Sequence, residues 1–327
     1  MNGYKARFKY ASSAFKFPNG IGINEGGVRE VMATTNLSNI QRVYDSRING
    51  NQLPSSCLLC LDGELNKFGH IIPALVLRWL KSASKKKDFF FNNSSEKVAD
   101  TLAVKMLCDR CEEIFCTHEK YFTDKYFKKF YRNKSPEKIG DDIYFFSLSV
   151  AWRILVSTPM MKGEEDSGKY FSFLTESIRS YLLQPNEKTE VDVYVFHASD
   201  IVENLPEKHY NLNLLKYSVR QGIFAQRLMA VRNGSRFLLT PAPVPLVHFK
   251  LGVYYFLVAC QDYLQSLTFL SNIERSDRGG VYVLKYSDEL IGFLNYISND
   301  RNFEVHKLRT LKNIEYNIIS PGFRKMY

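Results

Sequence analysis

No stretch of this chain reaches the roughly 18 uncharged apolar residues that a membrane helix needs. Its most apolar candidate, PLVHFKLGVYYFLVAC, is interrupted by His248 and Lys250. The opening residues, MNGYKARFKYASSAFKF, lack the apolar core of a secretory signal. Both absences point to a cytoplasmic protein without a membrane partner. Ser-His-Asp, P-loop and dinucleotide-binding patterns are missing too, so the chemistries that those motifs carry have no sequence support. Acidic residues are the minority charge, 34 against 44 lysines and arginines, and the formal net charge of +10 has the sign expected of a chain that meets phosphates. Cysteines number only six, and a reducing cytosol does not favour a disulfide framework. Metal binding or plain burial must account for them.

What is present suits a folded protein. Hydrophobic residues make up 45% of the chain and aromatic residues 14%, enough for a sizeable core. A length of 327 residues favours a small module joined to a larger body. Residues 1–53 are basic and aromatic, then turn-rich through FPNGIGINEGG, and read as an N-terminal arm. Residues 54–132 hold most of the cysteines and are interrupted near 81–97 by KSASKKKDFFFNNSSEK, which reads as an exposed, mobile insertion. Residues 133–327 form a mixed α/β body. Phe115, Phe122, Tyr126, Phe127 and Phe130 recur at helical spacing. DDIYFFSLSVAWRILVS reads as a second helix, and Phe171, Leu174, Ile178 and Leu182 mark one face of a third. EVDVYVFHA, GSRFLLT, VPLVHFKLGVYYFLVAC and GGVYVLKYS read as strands, with helices before and after them. The expected class is α+β, and no internal repeat is visible.

Cys57-Leu-Leu-Cys60 and Cys108-Asp-Arg-Cys111 are two C-x2-C units. Each can bend into a knuckle that offers two thiolates to one tetrahedral zinc, and four sulfurs close a structural site. Asp62-Gly63 supplies the turn such a knuckle needs. Cys116 and Cys260, in apolar company, read as small buried side chains. A cysteine hydrolase is the less attractive reading, because each paired thiol has a better use as a ligand.

The segments CLLC, GHIIP and LCDRCEEIF stand in the order found in the HNH, or His-Me finger, nucleases, and residues 54–125 resemble that family. SLSVAWRIL extends the resemblance to about residue 157, toward a zinc-stapled bacterial subgroup. The resemblance implies a zinc-stapled ββα-metal finger followed by the larger body. It casts His70 as the general base that takes a proton from the attacking water. It places a divalent ion, Mg2+ or Mn2+, at the positions of Gly69 and Glu112, of which only Glu112 has a side chain to offer. The implied activity is metal-dependent endonucleolytic cleavage of DNA, double-stranded DNA in preference to RNA, in bacterial anti-phage defence. The alternative is a non-catalytic zinc module with a degenerate HNH site that binds nucleic acid or protein.

Several residues keep two readings. His70 is either the base or a structural histidine that donates to a backbone carbonyl. Glu112 is either a metal ligand or a carboxylate at a helix N-terminus. Glu119, nearly two turns beyond Glu112, suits a supporting role, and His118 points elsewhere. Arg78, Lys81, Lys85, Lys86 and Lys87 are candidate contacts to a nucleic-acid backbone or a solvated charge run. Lys125, Lys128, Lys129 and Arg132 extend that surface or form an ordinary exposed helix face. Arg153, flanked by apolar residues, should pair with a carboxylate. Trp152, Met160 and Met161 read as core. The body offers no chemical motif, and it is expected to position the finger or to bind a protein partner or a second copy of the chain.

Overall fold

The computed structural model describes residues 15–16, 22–23, 56–65, 68–75, 78, 90–91, 97–98, 103–133, 138–157, 165–185, 189–197, 222–231, 244–260, 273–275, 280–284, 287–299 and 304–308. Within them the apolar spacing after the second cysteine pair produces the expected helix. α1 (Asp109–Phe122) passes through one π turn at Thr123–Phe127 and continues as α2 (Lys128–Asn133). Phe115, Phe122, Tyr126, Phe127 and Phe130 are all buried. The π turn adds a residue to the helical ladder at the point where the consecutive Tyr126 and Phe127 both face inward. α3 (Tyr144–Ser157) is buried from Tyr144 to Val156, as an all-round apolar helix must be. α4 (Glu165–Leu183) buries Phe171, Leu174, Ile178 and Leu182, and α5 (Asp288–Asn299) follows the sheet.

The strands are β1 (Phe15–Lys16), β2 (Gly22–Ile23), β3 (Gly69–His70), β4 (Phe90–Phe91), β5 (Lys97–Val98), β6 (Ala103–Val104), β7 (Val191–His197), β8 (Gly222–Val231), β9 (Val244–Leu251), β10 (Tyr254–Cys260), β11 (Ile273–Arg275), β12 (Val281–Leu284) and β13 (Glu304–Leu308). β1 pairs with β2, and β3 with β6. Nine strands form one sheet in the order β11-β12-β7-β10-β9-β8-β13-β4-β5, in which β12 runs parallel to β7 and the other described pairs are antiparallel.

The run read as VPLVHFKLGVYYFLVAC is two strands, not one. Gly252, at φ 58°, opens a two-residue turn that returns β10 along β9, with Tyr254 opposite Leu251. The polar insertion, read as an exposed loop, carries β4 and β5, which extend the large sheet beyond β13. β8 and β13 were not foreseen, and GSRFLLT, Met160 and Met161 lie outside the described residues.

Both faces of the sheet centre are covered, since β7 and β10 are buried at every position. On one face Phe249 stacks on Phe256 at 4.5 Å, and Phe122 stacks on Phe146 at 4.0 Å above them. α3 is the shared neighbour, touching α1, α4 and strands β7 to β10. One continuous apolar cluster of the described residues runs from Cys57 to Leu294.

The opposite face holds Phe196 against Tyr255 at 4.7 Å, with His248 and Lys250 also buried. The Lys250 ammonium lies 5.1 Å from the centre of the Tyr255 ring, and burial lowers its pKa from 10.5 to about 7. An unfolded chain keeps that lysine protonated up to its ordinary value, so it binds more protons than the folded chain across this window. Stability therefore rises with pH from about 7 toward 10, by about 3 to 5 kcal/mol. Chemical denaturation across this range should show a steeper rise for wild type than for Lys250→Met, the difference between the two curves reporting the lysine. His197, which burial lowers to about 3, acts only below its ordinary value of 6.5 and leaves this window untouched.

Candidate functional site

The two cysteine pairs meet. The sulfurs of Cys57, Cys60, Cys108 and Cys111 all lie within 4.8 Å of one another. The first pair is bent into a knuckle by Leu61 N–H donating to the Cys57 carbonyl at 2.8 Å and Cys57 N–H donating to the Gly63 carbonyl at 2.7 Å, with Leu61 in the left-handed region at φ 67°. The second pair is set by α1, whose N-cap is Cys108 and whose first turn contains Cys111. Gly63 makes the approach possible, because a Cβ there would stand 2.5 Å from the Cys108 Cβ and 2.7 Å from its sulfur.

A divalent ion with four sulfurs at about 2.3 Å has tetrahedral edges of about 3.8 Å. The Cys60 and Cys108 sulfurs are 3.8 Å apart. The thiols also act on one another as ligands held close must. A hydrogen bond from the Cys111 thiol holds Cys57 down at about 4, and the same contact pushes Cys111 far above the ordinary thiol value. Burial raises Cys108. Four such groups ionise together only with a cation among them. The cluster could therefore hold a metal ion, and its donor set is that of a structural site with no open position.

His70 ends the short strand β3, which pairs with β6 so that His70 faces Ala103 and Gly69 faces Val104. His70 is half-buried. Glu112, in the first turn of α1, packs its carboxylate on the backbone of Gly69. A Cβ at Gly69 would lie 3.0 Å from Glu112 Oε2 and 3.6 Å from Oε1. The helix carboxylate thus comes to the space beside Gly69, one residue before His70. Consecutive helical residues point about 100° apart, so Cys111 turns to the knuckle while Glu112 turns to β3.

Two arginines of the body clamp this assembly. Arg153, on α3, donates from Nη1 to the His70 carbonyl at 2.8 Å and from Nε to the Ser149 carbonyl at 3.2 Å. Its Nη2 pairs with Glu119 Oε1 at 2.6 Å, and the guanidinium lies 5.3 Å over the Phe115 ring. Arg179, on α4, donates from Nη1 to the Leu59 carbonyl of the knuckle at 2.9 Å and from Nε and Nη2 to Glu176. Pairing of Arg153 with a carboxylate was expected, as was a supporting role for Glu119. The bond to the His70 carbonyl and the whole of Arg179 were missed. The available signal was an arginine on the apolar side of each helix.

Arg78 is exposed, and its charge opposes the rise that burial gives the Cys116 thiol. Lys81, Lys85, Lys86 and Lys87 lie outside the described residues, as does the side chain of Arg132. Lys125 is bound to Asp142, which also accepts from Tyr121 at 2.6 Å and from Tyr126, and Lys128 pairs with Asp124 at 2.6 Å. His118 stacks on Phe145 at 3.8 Å, away from His70's strand, and burial lowers its pKa. Cys116 was read as buried and is exposed. It follows Phe115 by one helical step, which carries it off the buried stripe. Cys260 is buried as read.

Comparison with protein-family models, with curated proteins and with solved structures gives no match.

Elemental analysis of the purified chain should find about one tightly held divalent metal ion, and Cys111→Ser should lose it together with thermal stability; equal metal content in the two proteins would remove the cluster from consideration. Arg153→Met should cost about 3 to 5 kcal/mol by denaturant titration, because it leaves Glu119 charged and buried. Adding Glu119→Gln should return much of that loss, since the uncompensated charge goes with it.

Proposed function

We propose that the chain is a metal-dependent endonuclease of the HNH-like kind that hydrolyses phosphodiester bonds of DNA. Zinc fills the four-sulfur cluster, and Glu112 ligates a harder ion, Mg2+ or Mn2+. The reading is carried by the packing of the Glu112 carboxylate against Gly69, one residue before His70. A carboxylate suits a hard divalent cation, and an adjacent imidazole suits proton transfer near neutral pH.

The bound ion supplies charge stabilisation at the phosphate and the leaving oxygen. His70 takes a proton from water as the water oxygen attacks phosphorus, and the phosphorus–oxygen bond to the leaving sugar breaks. Arg153 holds the His70 carbonyl and so keeps the strand from shifting as the ring gains charge. The sulfur cluster holds α1 against the knuckle and keeps Glu112 within reach of β3. Basic residues such as Arg78 give affinity for the backbone without reading sequence. A place in anti-phage defence belongs to the same proposal and rests on the sequence resemblance. Among the described residues no helix is long and apolar enough to cross a membrane, which agrees with a DNA substrate.

Incubation with supercoiled plasmid in Mg2+ or Mn2+ tests this reading. Wild type should nick or linearise the plasmid, His70→Ala should be slower by about 10^2- to 10^4-fold, and Glu112→Gln should need far more metal ion for any cleavage. Zinc content should be the same in all three. Absence of cleavage by wild type, or equal rates for wild type and His70→Ala, would leave a zinc module that binds without cutting.

A further inference from the structure

Among the described large apolar side chains near this site, Phe68 and Ile114 are exposed, Phe68 the more so. Phe68, the residue before β3, is 64% exposed. Lys105, the residue after β6, holds its ammonium 5.5 Å from the centre of the Phe68 ring. The two immediately flank the β3–β6 pairing, in which His70 faces Ala103 and Gly69 faces Val104. Phe68 stands two residues before His70 on this short ribbon, and Gly69, which packs on the Glu112 carboxylate, lies between them. Two residues of strand span about 7 Å, close to the distance between neighbouring phosphates along one strand of nucleic acid.

We infer that Phe68 and Lys105 form a platform for one unpaired nucleotide beside the phosphate presented to His70, the base stacking on the ring and Lys105 meeting the backbone. This deepens the nuclease reading and rests on it for the place of the cut. The Phe68 ring has two faces, and Lys105 covers one of them. A side chain that wedges between paired bases needs both faces bare. A ring with one face free can stack a single base, which is how aromatic residues hold single strands. The ammonium over the covered face adds charge complementarity toward a polyanion, in a chain whose net charge is +10. The substrate is therefore DNA that is single-stranded or unpaired at the site, instead of the intact duplex expected from the sequence.

The test measures binding apart from cleavage. His70→Ala protein, without added Mg2+, is titrated against a fluorescent single-stranded oligonucleotide and against the same strand in duplex. Adding Phe68→Ala should weaken single-strand binding by about five- to a hundred-fold and change duplex binding by less than about two-fold. Phe68→Leu should behave like Phe68→Ala, because it keeps apolar bulk without a ring, and Phe68→Trp should bind at least as well as Phe68. Lys105→Ala should flatten the salt dependence of single-strand binding by about one ion's worth. Because Phe68 is exposed, these variants should keep the melting temperature and metal content of the parent, and both are measured alongside. Equal losses on single strand and duplex, full activity of Phe68→Leu, no effect of Phe68→Ala, or no binding of either oligonucleotide would overturn the platform. Plasmid cleavage by wild type with no Phe68 effect sinks this inference alone. Phe68-dependent binding without cleavage sinks the nuclease reading alone.

Discussion

A guanidinium carried through an apolar helix must find an acceptor for every direction in which it donates, because its desolvation costs several kcal/mol. Arg153 draws its partners from three elements at once: its own helix through Ser149, α1 through an ion pair with Glu119, and β3 through the His70 carbonyl. Its constraints run outward from there. The depth of α3 in the core fixes where the guanidinium lies, the guanidinium fixes the rotation of α1, and the two together fix the strand that ends in His70. Arg179 repeats the arrangement at the knuckle, through the Leu59 carbonyl. The knuckle and β3 are thus held through the backbone carbonyls of Leu59 and His70.

Soft and hard donors sit side by side at one helix N-terminus. Cys108, Cys111 and Glu112 share the first turn of α1, where the exposed backbone N–H groups favour negative charge. Helical rotation then sorts them, with sulfur toward the knuckle and oxygen toward β3. Small residues permit both contacts: Gly63 lets the knuckle approach Cys108, and Gly69 lets the carboxylate approach the strand. A glycine that looked like a lost ligand in the sequence is, in the fold, the clearance that admits a carboxylate from the facing helix.

Much of this was legible beforehand because it depends on local pattern. The three apolar stripes gave their helices, and paired cysteines at knuckle spacing gave a metal-capable cluster. What escaped depends on partners distant in sequence. The hairpin at Gly252 was hidden within one long apolar run, since a strand buried on both faces loses the alternation that marks its ends. β4 and β5 gave no strand signal amid lysines and asparagines, and their place comes from an edge supplied by β13. Nothing in SVAWRIL says that its arginine reaches a carbonyl at residue 70. Cys116 was misread because its neighbours in sequence are apolar while its own helical angle faces out.

The parallel pairing of β12 with β7 joins segments around residues 193 and 281, so the β11–β12 side of the large sheet closes only once most of the chain exists. The four sulfurs, by contrast, are all contained in the chain up to residue 111. On a ribosome the thiol cluster emerges complete while the helices bearing Arg153 and Arg179 are still unmade. A cation held by those sulfurs would order the knuckle before the later arginines reach it.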